Sequence, residues 1–169
     1  MAYDGGQRPG EIAAVFNAAL SAFEDDRRCF QVTRVLGSML VFDFGLPSRK
    51  RTTSGSAVLV GSGVLSIGNA YWWVSGSQRR LNSESLDDRF FKALQEAFLG
   101  EHLCVVEANA KALKFVFTGG IALNLDISNA WDQDVDEEVC SLNRGGLSVI
   151  LSANRQVRLR PDRDYRQAA

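Results

Sequence analysis

Between residues 113 and 127 apolar side chains recur at every second position. Leu113, Phe115 and Phe117 alternate, Gly119-Gly120 interrupts, and Ile121, Leu123, Leu125 and Ile127 alternate again around Ala122, Asn124 and Asp126. A period of two with one apolar face predicts a β-hairpin lying on a core. The same tokens occur earlier, as Leu40-x-Phe42-x-Phe44-Gly45 and as Leu65-x-Ile67-x-Asn69-Ala70-Tyr71-Trp72. Further strands are expected at Cys29–Val32, Ala57–Val60 and Ala70–Val74, and near 102–107, 137–142, 147–152 and 156–160. The dipeptides Gly37-Ser38, Gly61-Ser62 and Gly68-Asn69 read as two-residue hairpin turns that make the first half a meander.

Two stretches change period. Ile12, Val15, Phe16, Ala19, Leu20 and Phe23 fall on one helical face, which predicts a helix over about 11–25. Leu86, Phe90, Leu94, Ala97 and Phe98 do the same, with Ser85 and Asp88 approximating a capping box and Gly100 as the stop. Residues 1–10 and 161–169 read as a loose leader and a polar tail, and 46–56, LPSRKRTTSGS, as a basic loop.

The expected fold is therefore α+β: two helices with antiparallel β-meanders in one domain over 11–160. The order suggests two pseudo-symmetric halves, about 11–75 and 85–160. Ala22-Phe23 answers Ala97-Phe98, and Cys29 answers Cys104. Leu40, Phe42 and Phe44 answer Leu113, Phe115 and Phe117; Leu65, Ile67, Asn69 and Ala70 answer Leu125, Ile127, Asn129 and Ala130; and Trp72-Trp73 answers Trp131. If the repetition is real, the helices should pack on sheet faces lined by these phenylalanines.

Composition adds mostly exclusions. At 169 residues, 46% hydrophobic and 23% charged, the chain suits one medium globular domain. A net charge of −1 supplies no global field towards nucleic acid or an anionic membrane. No apolar run approaches the roughly 18 residues that span a bilayer, and the N-terminus lacks a secretory pattern, so a cytoplasmic location is expected. The three cysteines, each in a strand-like run, read as reduced, buried core thiols. His102 has no nucleophile signature beside it, no C-x-x-C pair suggests zinc, and Gly61-Ser62-Gly63 does not open a helix as a phosphate loop would. No cofactor is implied, and the chain reads as non-enzymatic.

Two features remain as candidate sites. Residues 124–140 hold six acids and no base, concentrated in Asp132, Asp134, Asp136, Glu137 and Glu138, whereas 144–169 hold six arginines and two aspartates. The D-x-D-x-D opening resembles a calcium loop, but Glu137 stands where the turn needs Gly and Asn143 where a bidentate Glu belongs. The acids then either pair internally with Arg155, Arg158 and Arg160, or form a lip edged by Trp131 that receives a basic partner. The second feature is Trp72-Trp73. Neighbours on a strand point to opposite faces, so one enters the core and the other looks outward as an anchor for a partner or ligand.

The F-x-F-G element, the L-x-I-x-N-A-Y-W stretch and the acidic segment leading into EEVCSLNRGG together resemble small bacterial proteins, some of which are immunity proteins of polymorphic toxin systems. The similarity covers about 38–152. It implies a cytosolic α+β protein that neutralises a partner such as a basic toxin domain, and it transfers no functional residue position by position. Such proteins are often strongly acidic, and this chain is nearly neutral. Two readings follow: a protein-binding module using Trp131, Asp132, Asp134, Asp136, Glu137 and Glu138, or a small-molecule-binding domain with a site between the halves against Trp72 or Trp73. Oligomeric state is not legible.

Overall fold

A computed structural model describes residues 6–22, 27–68, 70–84, 87–128, 137–144 and 146–161. Among these residues it is a mixed α+β fold of two α-helices and twelve strands, every strand pairing antiparallel. In chain order the elements are α1 (Pro9–Ser21), β1 (Cys29–Arg34), β2 (Leu40–Phe44), β3 (Ser48–Arg51), β4 (Ala57–Val60), β5 (Gly63–Ile67) and β6 (Trp72–Ser75). Then come α2 (Asp88–Phe98), β7 (Leu103–Ala108), β8 (Ala112–Phe117), β9 (Ala122–Asp126), β10 (Glu138–Arg144), β11 (Leu147–Ser152) and β12 (Val157–Pro161).

Both helices start differently from the expectation. Pro9 takes the first turn of α1, where its missing N–H removes no hydrogen bond. The segment before it is pinned from Gly6 onward, since Gln7 N–H donates to Arg155 O (3.2 Å) and Val157 N–H to Gln7 Oε1 (2.7 Å). The cap of α2 is Asp87, whose carboxylate accepts from Phe90 N–H at 2.8 Å. Gly100 follows the helix with φ +84°, as the expected stop requires.

Three sheets form, in the orders β1-β2-β5-β10-β11-β12, β6-β9-β8-β7 and β3-β4. This overturns the simple first-half meander. β4 pairs with β3 and not with β5, so the expected basic loop is the first strand of a separate ribbon. Nor is Gly61-Ser62 a hairpin turn. A Cβ on Gly61 would lie 2.4 Å from Phe44 O, so glycine is required there by close backbone approach. β6, in turn, leaves β5 and joins the other sheet.

After α1 the strand β6 crosses into the sheet of β7–β9, and after α2 the strand β10 crosses into the sheet of β1, β2 and β5. β10 lies against β5, with Cys140 opposite Ile67 and Leu142 opposite Leu65. β6 lies against β9, with Trp72 opposite Leu125 and Val74 opposite Leu123. The hydrogen bonds correct the residue matching. Cys29 stands opposite Phe44 before a bulge, as Leu103 stands opposite Phe117 before a bulge, so Cys29 corresponds to Leu103 and not to Cys104. That one-residue slip leaves Cys104 exposed while Cys29 and Cys140 are buried. By the same pairings Leu65 answers Leu123, and Trp72 answers Cys140. The match proposed for Asn129, Ala130 and Trp131 lies outside the described residues.

The two large sheets turn their inner faces towards one another. Phe42 and Phe44 meet Phe117 at ring separations of 6.2 and 6.0 Å. Both helices pack against these rings: Phe98 of α2 stands edge-on to Phe42 (5.2 Å) and Phe117 (4.8 Å), and Phe16 of α1 edge-on to Phe115 (5.7 Å). Each helix also seals a strand edge. Asn17 of α1 bonds both the N–H and the C=O of Val106 in β7, while Gln95 of α2 donates to Val32 O in β1. Such caps satisfy backbone groups that an edge strand leaves unpaired. Between the capped edges, Arg28 and His102 form a bridge, with Cys29 N–H donating to Glu101 O and Leu103 N–H to Arg27 O.

Candidate functional site

Trp72 and Trp73 separate as strand alternation requires. Trp72 is 0% exposed, and its indole N–H donates to Ser38 O at 2.9 Å. It is a core residue with its polar edge satisfied, and it offers no surface to a ligand. Trp73 faces the other way and is half-buried beside Tyr71, with ring centroids 5.9 Å apart and planes tilted by 30°.

These two rings wall a recess of about 420 Å³. Val74 and Leu81 contribute its apolar floor, and Arg80, Lys111, Asp126 and Ser128 its polar rim. The backbone beneath is rigidly paired. Asp126 N–H donates to Tyr71 O (2.9 Å), Ile127 N–H to Lys111 O (2.8 Å), and Val74 N–H to Leu81 O (2.9 Å). Trp73 sits opposite Asn124, whose amide donates to Trp73 O and Ser75 Oγ. Asp126 is engaged locally, accepting from Ser128 N–H (2.8 Å) and Ser128 hydroxyl (2.6 Å). Its charge is thus partly spent within the chain, while Arg80 and Lys111 are exposed at the mouth. The recess lies where β6 from the first half meets β9 from the second.

The acidic candidate is only partly described. Trp131, Asp132, Asp134 and Asp136 lie outside the described residues. Glu137 and Glu138 are exposed, at the point where β10 begins. The recess and this segment are neighbours in sequence, since Ser128 closes the rim and the acidic run follows it. Arg155, one of the arginines expected to neutralise the acids, donates to the carbonyls of Ile127 (3.0 Å) and Ser128 (3.1 Å). It holds φ +61°, a left-handed conformation rare for a residue with a side chain. Its guanidinium thereby clamps the stem from which the acidic segment departs. Sequence reasoning missed this clamp, and Tyr71, Arg80 and Lys111 with it.

Burial pushes the Cys29 thiol up to about 12, and burial likewise raises the Cys140 thiol. Asp43, 6% exposed, is raised by burial although its carboxylate accepts from Gly61 N–H at 3.0 Å. His102 is exposed and its backbone N–H donates to Thr118 Oγ1. No helix among the described residues is long and apolar enough to cross a membrane. The chain matches no protein-family model, no curated protein and no solved structure.

Proposed function

We propose that this chain is a non-enzymatic protein-binding module of the immunity type, which holds and neutralises a partner protein at the Tyr71–Trp73 recess and the acidic segment beside it. The observation that carries the reading is Trp73 itself. A large aromatic is left half-exposed on a strand, next to a second ring, and the sequence places five carboxylates within seven residues shortly after Ser128 of the same recess. An amphipathic ring on a fixed backbone contributes lasting affinity at small entropic cost, and the surrounding charges select a basic partner and raise its association rate. The partner's apolar side chain would enter the recess while Asp132, Asp134, Asp136, Glu137 and Glu138 meet its positive surface, with Trp131 at their edge.

The experiment compares capture from the native host by the wild-type chain, by Trp73→Ala and by the Asp132/Asp134/Asp136→Asn triple variant. A protein held by the wild type should be released faster from Trp73→Ala. It should associate more slowly, with a flatter salt dependence, with the triple variant. Identical capture by all three would end the reading.

A second reading, a small molecule bound at the same place, is favoured by the recess volume of about 420 Å³ and by Arg80 and Lys111 at its mouth. These would suit a flat, anionic ligand. Native mass spectrometry would then find a bound small molecule that Trp73→Ala loses, and no protein would be retained. The reciprocal exchange of β6 and β10, the matching bulges and the paired helix caps support a further part of the proposal, that the two halves descend from one repeated unit.

A further inference from the structure

Among the described residues the ribbon β3–β4 has no equivalent in the second half and pairs with no other strand. All four residues of β3, and the first three of β4, are exposed. Its tip is closed by its own bonds, Thr52 N–H to Ser56 O and Gly55 N–H to Thr52 O, both 2.9 Å. Its base is fixed by the Gly61 N–H bond to the buried Asp43 carboxylate and by the close passage of Gly61 over Phe44 O. A built and anchored element therefore projects an unpaired strand edge into solvent, which proteins ordinarily avoid or guard.

The guard is charge of one sign. Arg49, Lys50 and Arg51 are consecutive on β3, and the chain carries no Asp or Glu from Phe44 to Ser83. Among the described residues these three cations enter no ion pair. Arg49 and Arg51 share one face of the ribbon with Leu59, which is 50% exposed; Lys50 shares the other with Val58, which is 40% exposed. Two like-charged β3 edges repel each other, but an acidic strand laid against β3 gains backbone bonds and cross-strand charge pairs together.

The geometry points to β3 as a docking edge for an extended, acidic segment of a partner protein, with its acids on the Arg49/Arg51 face and apolar residues on the Lys50/Val58 face. A nucleic acid fits less well. Three cations fall short of the six to ten phosphate contacts that sustain strong backbone binding, and Val58 and Leu59 have no use in one. None of its residues lines the Trp73 recess, so it stands or falls independently of that reading.

The test titrates the isotope-labelled full chain with an octapeptide of alternating Glu and Val at low salt, following backbone amides by NMR. Amides of residues 48–51 should shift and gain exchange protection. R49E/R51E should weaken that binding at least about tenfold and should instead bind an alternating Lys/Val octapeptide. That gain keeps the result apart from simple unfolding. Shifts confined to other strands, or none at about 1 mM peptide, would overturn the proposal. So would concentration-dependent shifts of 48–51 without peptide, which would indicate a second copy on that edge. Tighter binding of a DNA duplex at these amides would replace the partner protein with a nucleic acid.

Discussion

Replacing Asn17 with Ala removes two hydrogen bonds at once: the Nδ2 donation to Val106 O at 2.7 Å and the acceptance from Val106 N–H at 2.8 Å. Val106 is 1% exposed, so water does not readily replace the lost partner. At about 0.5–1.5 kcal/mol net for each bond, the expected loss is about 1–3 kcal/mol. For a chain of this size each kcal/mol lowers Tm by about 2–4 °C, which puts the shift near 4–8 °C for a central loss of about 2 kcal/mol. Gln95→Ala removes the single bond to Val32 O and should cost about half as much. The pair should add, because the two caps sit on opposite sheets and share no partner. Thermal unfolding followed by circular dichroism measures the size of the effect, and hydrogen exchange at the Val106 amide measures its place. Asn17→Asp supplies the internal control. It keeps the acceptor for Val106 N–H but sets a carboxylate against Val106 O, so it should be destabilising at neutral pH and partly recover in acid. An Asn17→Ala protein with unchanged Tm and an unchanged Val106 exchange rate would refute the edge-sealing role.

The adjacent tryptophans should part company: Trp72→Ala, in the core, should cost about 3–5 kcal/mol of stability. Trp73→Ala should leave the fold nearly intact and, as a hot spot, weaken partner binding by about 2 kcal/mol, measured as a faster dissociation rate. Asp43→Asn keeps the acceptor for Gly61 N–H and removes a carboxyl that burial holds above its usual 3.8. A raised folded-state value means that this group's stabilisation is full below 3.8 and fades as pH rises through the folded value, so the variant should be at least as stable as wild type at pH 7 and lose the relative gain on acidification. Thiol titration of the native protein at pH 8 should modify Cys104 alone, with Cys29 and Cys140 reacting only after unfolding; rapid labelling of all three would contradict the burial described here.

Much of the local structure was legible, because helix and strand periods are written in which face is apolar. The β8–β9 hairpin, both helical faces and the β10–β11 pair follow from that alone. The sheet assignments did not. A glycine-containing dipeptide between two strands marks a place where the backbone bends or passes close to another chain segment, and Gly61 does the latter. Local chemistry cannot distinguish a turn into the same sheet from a crossing into the next. The Cys29–Cys104 match failed for a related reason: a bulge inserts one residue and turns the following side chain outward, and periodicity carries no sign of it. Of the sites, the outward Trp was inferable from alternation, and which of the two it would be was not. Charge counting places Arg155 among the acids and gives no sign that two of its donors lie on the carbonyls of Ile127 and Ser128.

The crossing of β6 and β10 has a consequence for how the chain comes to be folded. The strand β5 meets no partner on one side until β10 has been made, about 75 residues later, which at about 5–20 residues per second leaves a nascent sheet open for several seconds on the ribosome. Pairings between such distant segments also place a large loop-closure cost ahead of the contacts that repay it, so folding should be slow for a protein of this length. During that interval the exposed edge of one unfinished molecule is a fitting partner for the strand of another. Intermolecular exchange at high synthesis rates is therefore this architecture's characteristic hazard, and a fragment ending at residue 75 should associate or aggregate where the whole chain does not.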